Sequence, residues 1–164
     1  MAKQDPDPFR ALRPFTSFNF AVEINRGQDA GALVGGSFAE CDGLEMTMDV
    51  KTIREGGAND RAYRVAGPVS YGNITLKRGM TNSYDLWKWF QRSVQDPALR
   101  ADAEIVLTAP DGPRTERARF QLYRCLPIKL KAPPLNAKDS QIAIEELQIA
   151  YERFELGQIA GGGA

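Results

Sequence analysis

Two runs of alternation constrain this chain more than anything else in it. Phe18, Phe20, Val22 and Ile24 share one parity, while Ser17, Asn19, Ala21 and Glu23 take the other. A hundred residues on, Ala118, Phe120, Leu122 and Leu126 alternate with Arg117, Arg119, Gln121 and Tyr123. A period of two places every second side chain on one side of an extended backbone, so each run reads as a strand with one apolar and one polar face. Such a strand is stable only when its apolar face meets a second layer.

The remaining chain follows the same logic. Phe15 to Ile24 reads as the first strand, and Asn25 to Gly36 as a turn, because it holds Arg-Gly-Gln-Asp and a Gly-Gly pair. A second strand starts near Ser37, breaks at Asp42-Gly43 and resumes through Leu44, Met46, Met48 and Val50; the glycine signals a bulge or sharp bend. Lys51 to Gly67 is charged and glycine-bearing and reads as a long irregular loop, a kind of segment that is usually functional or disordered. Val69 to Lys77 reads as a third strand, with Gly72, Ile74 and Leu76 on one face. A helix is expected from a cap at Thr81 or Asn82 to about Val94, with Leu86, Trp89 and Phe90 as its apolar stripe. One tryptophan of the Trp87/Trp89 pair is expected in the core, with the other a candidate for contact with a neighbouring protein. Glu104 to Thr108 and Glu116 to Leu126 flank Pro110-Asp111-Gly112-Pro113, a hairpin signature. Lys129 to Asp139 reads as a connection. In the last strand Ile142 and Ile144 are out of phase with Leu147, Ile149 and Tyr151, which calls for a bulge near Glu145-Glu146.

Six strands and one helix in this order give a mainly β fold: an antiparallel β-sandwich or small barrel with one α-helix covering an open end. Residues 1–14, with Pro6, Pro8 and Pro14, read as an extended arm. Residues 15–156 form one domain and 157–164 a flexible glycine-rich tail.

Composition narrows the chemistry. The 164 residues contain no histidine, so neither a Ser-His-Asp nor a Cys-His arrangement is available, nor a His-ligated metal site. Two cysteines cannot supply the four thiolates of an all-cysteine zinc site. Cys41 and Cys125 read as small buried hydrophobes rather than a disulfide or redox pair. The balanced charge, 21 basic against 21 acidic residues, argues against a dedicated nucleic-acid binder and removes long-range repulsion between copies. No apolar run reaches the roughly 20 residues of a membrane span, and the N-terminus lacks the apolar core of a signal peptide. The carboxylates Glu145, Glu146, Glu152 and Glu155 read as solvated or lumen-facing charge rather than a glycosidase pair or metal site.

The segments Gly36–Glu45 (GSFAECDGLE), Arg54–Asp60 (REGGAND), Tyr71–Thr81 (YGNITLKRGMT) and Tyr84–Phe90 (YDLWKWF), in that order, resemble the tail-tube proteins of contractile phage tails and phage-tail-like contractile injection systems. The resemblance implies a tail-tube fold whose strands join between subunits into a ring-shaped β-barrel. It implies a structural, non-enzymatic subunit without cofactors, forming stacked hexameric rings around a channel for cargo. Its partners would be itself, a contractile sheath protein, baseplate and spike proteins, and protein cargo or phage DNA in the lumen. Assembly would take place in the bacterial cytoplasm, as part of a phage-tail-like particle.

By the same resemblance, Arg54, Glu55, Gly56, Gly57, Asn59, Asp60, Arg61 and Arg64 are candidates for contact between subunits, the charged ones through charge-assisted hydrogen bonds. Asn73, Thr75, Arg117, Arg119 and Gln121, opposite the apolar parity, are candidates for the lumen. Other readings stay open: a tube-initiator ring joining tube to baseplate, a free ring carrying secreted cargo, and a monomeric β-barrel enzyme or ligand-binding module.

Overall fold

A computed structural model describes residues 19–26, 31–54, 56–57, 62–109, 116–138 and 141–157. The expected arm 1–14 lies outside them, as do Phe18 and the tail beyond Gly157. Ten strands and one helix are present among the described residues: β1 Phe20–Asn25, β2 Ala32–Gly36, β3 Glu40–Asp42, β4 Met46–Ile53, β5 Tyr63–Tyr71, β6 Asn73–Gly79, α1 Asp85–Gln95, β7 Ala101–Thr108, β8 Glu116–Lys131, β9 Ile144–Ala150 and β10 Arg153–Gly157. The mainly antiparallel β fold with one helix is the one anticipated, more finely divided than six strands.

Strand order in the main sheet is β2-β1-β7-β8-β9-β6-β3, with β10 also paired to β8. The long β8 belongs to two halves. Its first part pairs with β7 and β10, and Leu126 to Lys131 pair with β9. Between them Arg124 adopts φ 56, and its backbone N–H is held by the Asp102 carboxylate at 3.0 Å. This left-handed residue resets the side-chain parity. Leu122 and Cys125 are therefore the core residues, and Leu126 does not share the face of Leu122 as the alternation suggested. One core joins the halves: Val22, Ile24, Ala103, Ile105 and Leu122 from the first meet Ile74, Leu76, Leu147 and Ile149 from the second. Phe20 and Phe120 are half-buried and pack against that core.

Several local expectations change. The Asn25–Gly36 segment contains β2, which pairs with β1 from Ala32 to Gly36. Its leucine and valine suit a strand, and the glycines hid it. Lys51–Gly67 is largely a hairpin, since β4 continues to Ile53 and β5 begins at Tyr63. Both faces of that hairpin are solvated, so the usual alternation was missing. Val69–Lys77 is split at Gly72 into the end of β5 and the start of β6. Lys129 to Lys131 belong to β8 rather than to a connection.

Helix α1 starts at Asp85, later than the expected caps, after Tyr84 in a left-handed conformation (φ 49) without a side-chain cap. The Leu86 N–H is instead satisfied by the Asp85 carboxylate at 3.0 Å. Leu86 and Trp89 are buried, with Phe90 against the core. No bulge occurs in β9, which pairs with β6 in constant register from Ile144 to Ala150. The conflict of parities is resolved by burying Glu145 (2% exposed) and leaving Ile142 at 82%. A buried glutamate was the unread signal, and it corrects the view of Glu145 as solvated or lumen-facing charge.

That glutamate lies in an ion network joining sheet to helix. Arg78 Nε donates to Glu145 Oε1 at 2.8 Å, and the same guanidinium pairs with Asp85. Trp87 Nε1 donates to Glu145 Oε2 at 3.1 Å, and the Phe38 ring lies 5.4 Å beneath the guanidinium. Burial opposes charge on Asp85, yet Arg78 wins and holds its carboxyl below the usual range. Trp89 is thus the core tryptophan, while Trp87 is half-buried and anchored to Glu145.

Candidate assembly interface

The surface feature most in need of a partner is the β4–β5 hairpin. Every residue of β4 is exposed, and all of β5 except Gly67 and Tyr71. Yet Met46, Met48, Val50, Ile53, Tyr63, Val65 and Val69 are each 42–57% exposed there. Apolar residues held on a solvated ribbon mark an interaction surface.

The hairpin is the outer part of a longer ribbon. β3 pairs with β6 as Glu40↔Lys77 through Asp42↔Thr75, and β4 pairs with β5 starting at Met46↔Tyr71. These pairs keep the same register across Gly43–Glu45, so one two-stranded ribbon runs from the core to the tip. The break between its parts is closed by a side chain. The Tyr151 hydroxyl accepts from Glu45 N at 3.2 Å and lies 3.1 and 3.3 Å from the carbonyls of Glu45 and Gly43. Burial raises the pKa of that phenol. Gly43, at φ 93, leaves no room for a side chain, because a Cβ there would stand 2.1 Å from the Asn73 carbonyl.

Farther out, two residue steps on β4 (Met48 to Val50) oppose three on β5 (Val69 to Ala66), a bulge at Gly67-Pro68. Cross-strand partners share a face. Met46, Met48, Val50 and Val69 therefore lie on one side of the ribbon, whereas Ile53, Tyr63 and Val65 lie on the other.

Of the eight contact candidates, the four described residues fall at or near this tip. Arg54, Gly56 and Gly57 are exposed there, Gly57 at φ 132, and Arg64 is exposed on β5 opposite Thr52. Glu55, Asn59, Asp60 and Arg61 lie outside the described residues. The apolar hairpin residues were not named as interface candidates, because Met46, Met48 and Val50 read simply as the continuation of the second strand.

The lumen candidates occupy two different faces. Asn73 and Thr75 pair with Ala150 and Gln148 on the non-core side of the β6–β9 half. Lys77, Glu146 and Lys131 continue that row, and Lys77 pairs with Glu40 at 2.6 Å. Arg119 and Gln121 lie on the non-core side of the β7–β8 half, where both bind Glu104; Arg117 is exposed on the same strand. The core lies between the two halves, so these faces point away from each other.

The edges of the β8–β9–β6–β3 half are open. Among the described residues β3 pairs only with β6, and residues 126–131 of β8 pair only with β9. Among the described residues no group of three or more metal-ligating side chains occurs, and no helix is long and apolar enough to cross a membrane. Cys41 and Cys125 are free thiols raised by burial to about 11 and about 12, too high for a reactive thiolate.

An unclosed β fold with free sheet edges among the described residues and a projecting ribbon defines a class of protein built to associate. Solved structures share the fold, among them the following three. A chain of the anti-feeding prophage (AFP) baseplate is 25% identical, with a TM-score of 0.76 and coverage of 90% of this chain and 98% of that one. A chain of the PVC extracellular contractile injection system sheath-tube complex in its extended state is 21% identical, with a TM-score of 0.76 and coverage of 96% and 100%. A chain of the AFP tube terminating cap is 22% identical, with a TM-score of 0.70 and coverage of 98% and 95%. No curated protein sequence matches significantly. Residues 16–155 match the family described as T4-like virus tail tube protein gp19, and the chain belongs to that family.

Proposed function

We propose that copies of this chain close into hexameric rings and stack into the inner tube of a contractile injection system or contractile phage tail. The observation that carries this reading is the pair of open edges on the β8–β9–β6–β3 half. Pairing the β3 edge of one subunit with residues 126–131 of β8 in the next satisfies both and repeats around a closed ring. The sheet that closes this way forms the channel wall. Asn73, Thr75, Gln148 and the mixed charges beside them then face the lumen, a polar lining to which cargo does not stick. Arg117, Arg119 and Gln121 face outward. The hairpin tip, with Arg54, Glu55, Asn59, Asp60, Arg61 and Arg64, contacts neighbouring subunits.

The role is mechanical, without catalysis or cofactor. Partners are a sheath outside, a baseplate and spike at one end, and protein or DNA cargo inside; assembly takes place in the bacterial cytoplasm. The match to a chain of a baseplate structure favours one variant of the same role, a tube-initiator ring seated on the baseplate.

Electron microscopy of the assembled chain tests the reading, with cysteines at Thr75 and Arg117 as reporters. Sixfold rings or tubes are expected. In tubes the Thr75→Cys thiol should accept a small maleimide but not a bulky one, whereas Arg117→Cys accepts both. A monodisperse monomer at all concentrations rejects the tube, and the opposite labelling pattern rejects the assigned lumen face.

A further inference from the structure

The two open edges of the β8–β9–β6–β3 half carry opposite charge. β3 presents Glu40 and Asp42 at one edge, and β8 presents Lys129 and Lys131 at the other; all four are exposed. Strand registers place them in rows across the half. Glu40, Lys77, Glu146 and Lys131 make one row, and Asp42, Thr75, Gln148 and Lys129 another. Between them runs an apolar row on the core side: Cys41, Leu76, Leu147 and Leu130. The first row alternates in sign from edge to edge. Lys77 holds Glu40 at 2.6 Å within the subunit, whereas neither Lys129 nor Lys131 has an ion pair among the described residues.

We infer that these charges select a single register for the strand pairing between subunits: Glu40 of one copy stands opposite Lys131 of the next, and Asp42 opposite Lys129. β3 and β8 run antiparallel, because three antiparallel pairings separate them. The rows of one copy therefore continue into those of its neighbour in the same order. The apolar row continues as well, since Leu130 arrives beside Cys41, and each is only partly buried in the single subunit. Slipped registers lose these matches. A shift by one residue turns the lysines toward the side of Cys41. A shift by two, in either direction, keeps one ion pair and leaves the other carboxylate without a lysine. Opposite charges across two strands stabilise their pairing and like charges oppose it, and complementary charge fixes register and partner more than it raises affinity. The same edges decide which chain can enter the ring: one with an acidic β3 and a basic end of β8.

This inference rests on the proposed ring, and its test separates the two. In a Cys41→Ala background, Glu40→Cys/Lys131→Cys probes the inferred register and Glu40→Cys/Lys129→Cys the one slipped by two. After assembly and oxidation, a denaturing gel without reductant should show the first variant as a ladder ending at the hexamer and the second as monomer. Rings visible by microscopy but linked only in the second variant, or in neither, overturn the register while leaving the ring intact. Absence of any ring from the unsubstituted chain overturns both. A charge swap gives a second measure that needs no cross-link. Asp42→Lys and Lys129→Glu should each lose the rings in sedimentation while the melting curve stays in place, both residues being exposed. The chain carrying both changes should regain them. Rings indifferent to either single change, or not regained by the pair, would also overturn the inference.

Discussion

Replacing Arg78 with methionine tests whether the buried ion network holds the helix to the sheet. The side chains of Arg78, Glu145 and Asp85 are 5%, 2% and 18% exposed. This is far from a surface salt bridge, whose worth is about 0–1 kcal/mol. Removing one partner of a buried network leaves uncompensated charge and typically costs about 3–5 kcal/mol. Here two carboxylates lose their shared cation, while Trp87 still donates to Glu145. For a chain of this size the loss corresponds to a melting temperature lower by roughly 6–20 °C. The penalty should depend on pH. In the native protein Asp85 is held below its ordinary pKa, so it contributes stability above the unfolded value of about 3.9 that is lost as pH falls through the lower folded value. In the variant, burial acts without Arg78, the folded pKa rises, and acidification relieves the penalty. Urea unfolding of both proteins at pH 7 and pH 4 should therefore show a gap that narrows at pH 4. Adding Glu145→Leu should recover part of the loss, because apolar packing can replace a buried pair. A gap below about 1 kcal/mol, the surface-pair range, or one equal at both pH values, would refute this account of the network.

Three further outcomes are expected. Tyr151→Phe removes the hydroxyl that bridges Gly43 and Glu45; it should cost about 1–3 kcal/mol and speed hydrogen exchange in β4 and β5 more than in β7. Arg54→Glu with Arg64→Glu should move the melting temperature by no more than a few degrees, since both residues are exposed, while preventing assembly as judged by light scattering. Cys125 should stay unreactive toward an aromatic disulfide reagent in the native protein and react on unfolding, because its thiol is buried and raised to about 12.

The parts legible in the sequence were those whose pattern came from one buried face. β1, α1 and the first part of β8 have clear apolar parities, and their core residues Val22, Ile24, Leu86, Trp89 and Leu122 are buried as expected. The hairpin β4–β5 was read as a loop past Lys51, because a ribbon solvated on both sides has no buried parity to display. β9 misled for the opposite reason: its buried row includes Glu145, which only the distant Arg78 makes tolerable, and no local pattern reveals that pairing. The switch at Arg124 was equally hidden, since arginine gives no sign of a left-handed backbone. At the hairpin, Arg54 and Arg64 were named from the sequence, whereas the exposure of Ile53 and Tyr63 was not legible there. Isolated apolar residues among charges carry meaning only once their exposure is known.

The division between core and hairpin bears on how such a chain can both fold and assemble. No residue of β4 or β5 belongs to the buried core; only Tyr71, at the end of β5, packs against it from the edge. The subunit thus has little stability at stake in the hairpin, which can open locally without unfolding the rest. The elements that fix the base of the ribbon are core-side: the Tyr151 hydroxyl, the close approach of Gly43 to Asn73, and the Tyr71 ring 5.9 Å from Tyr151. Orientation is therefore set from inside the subunit, and in the proposed assembly the partner adds to the stability of the outer hairpin. With a net charge of +0 no long-range repulsion opposes that meeting. In the proposed assembly the core is complete within one subunit, and association covers the hairpin rather than the core.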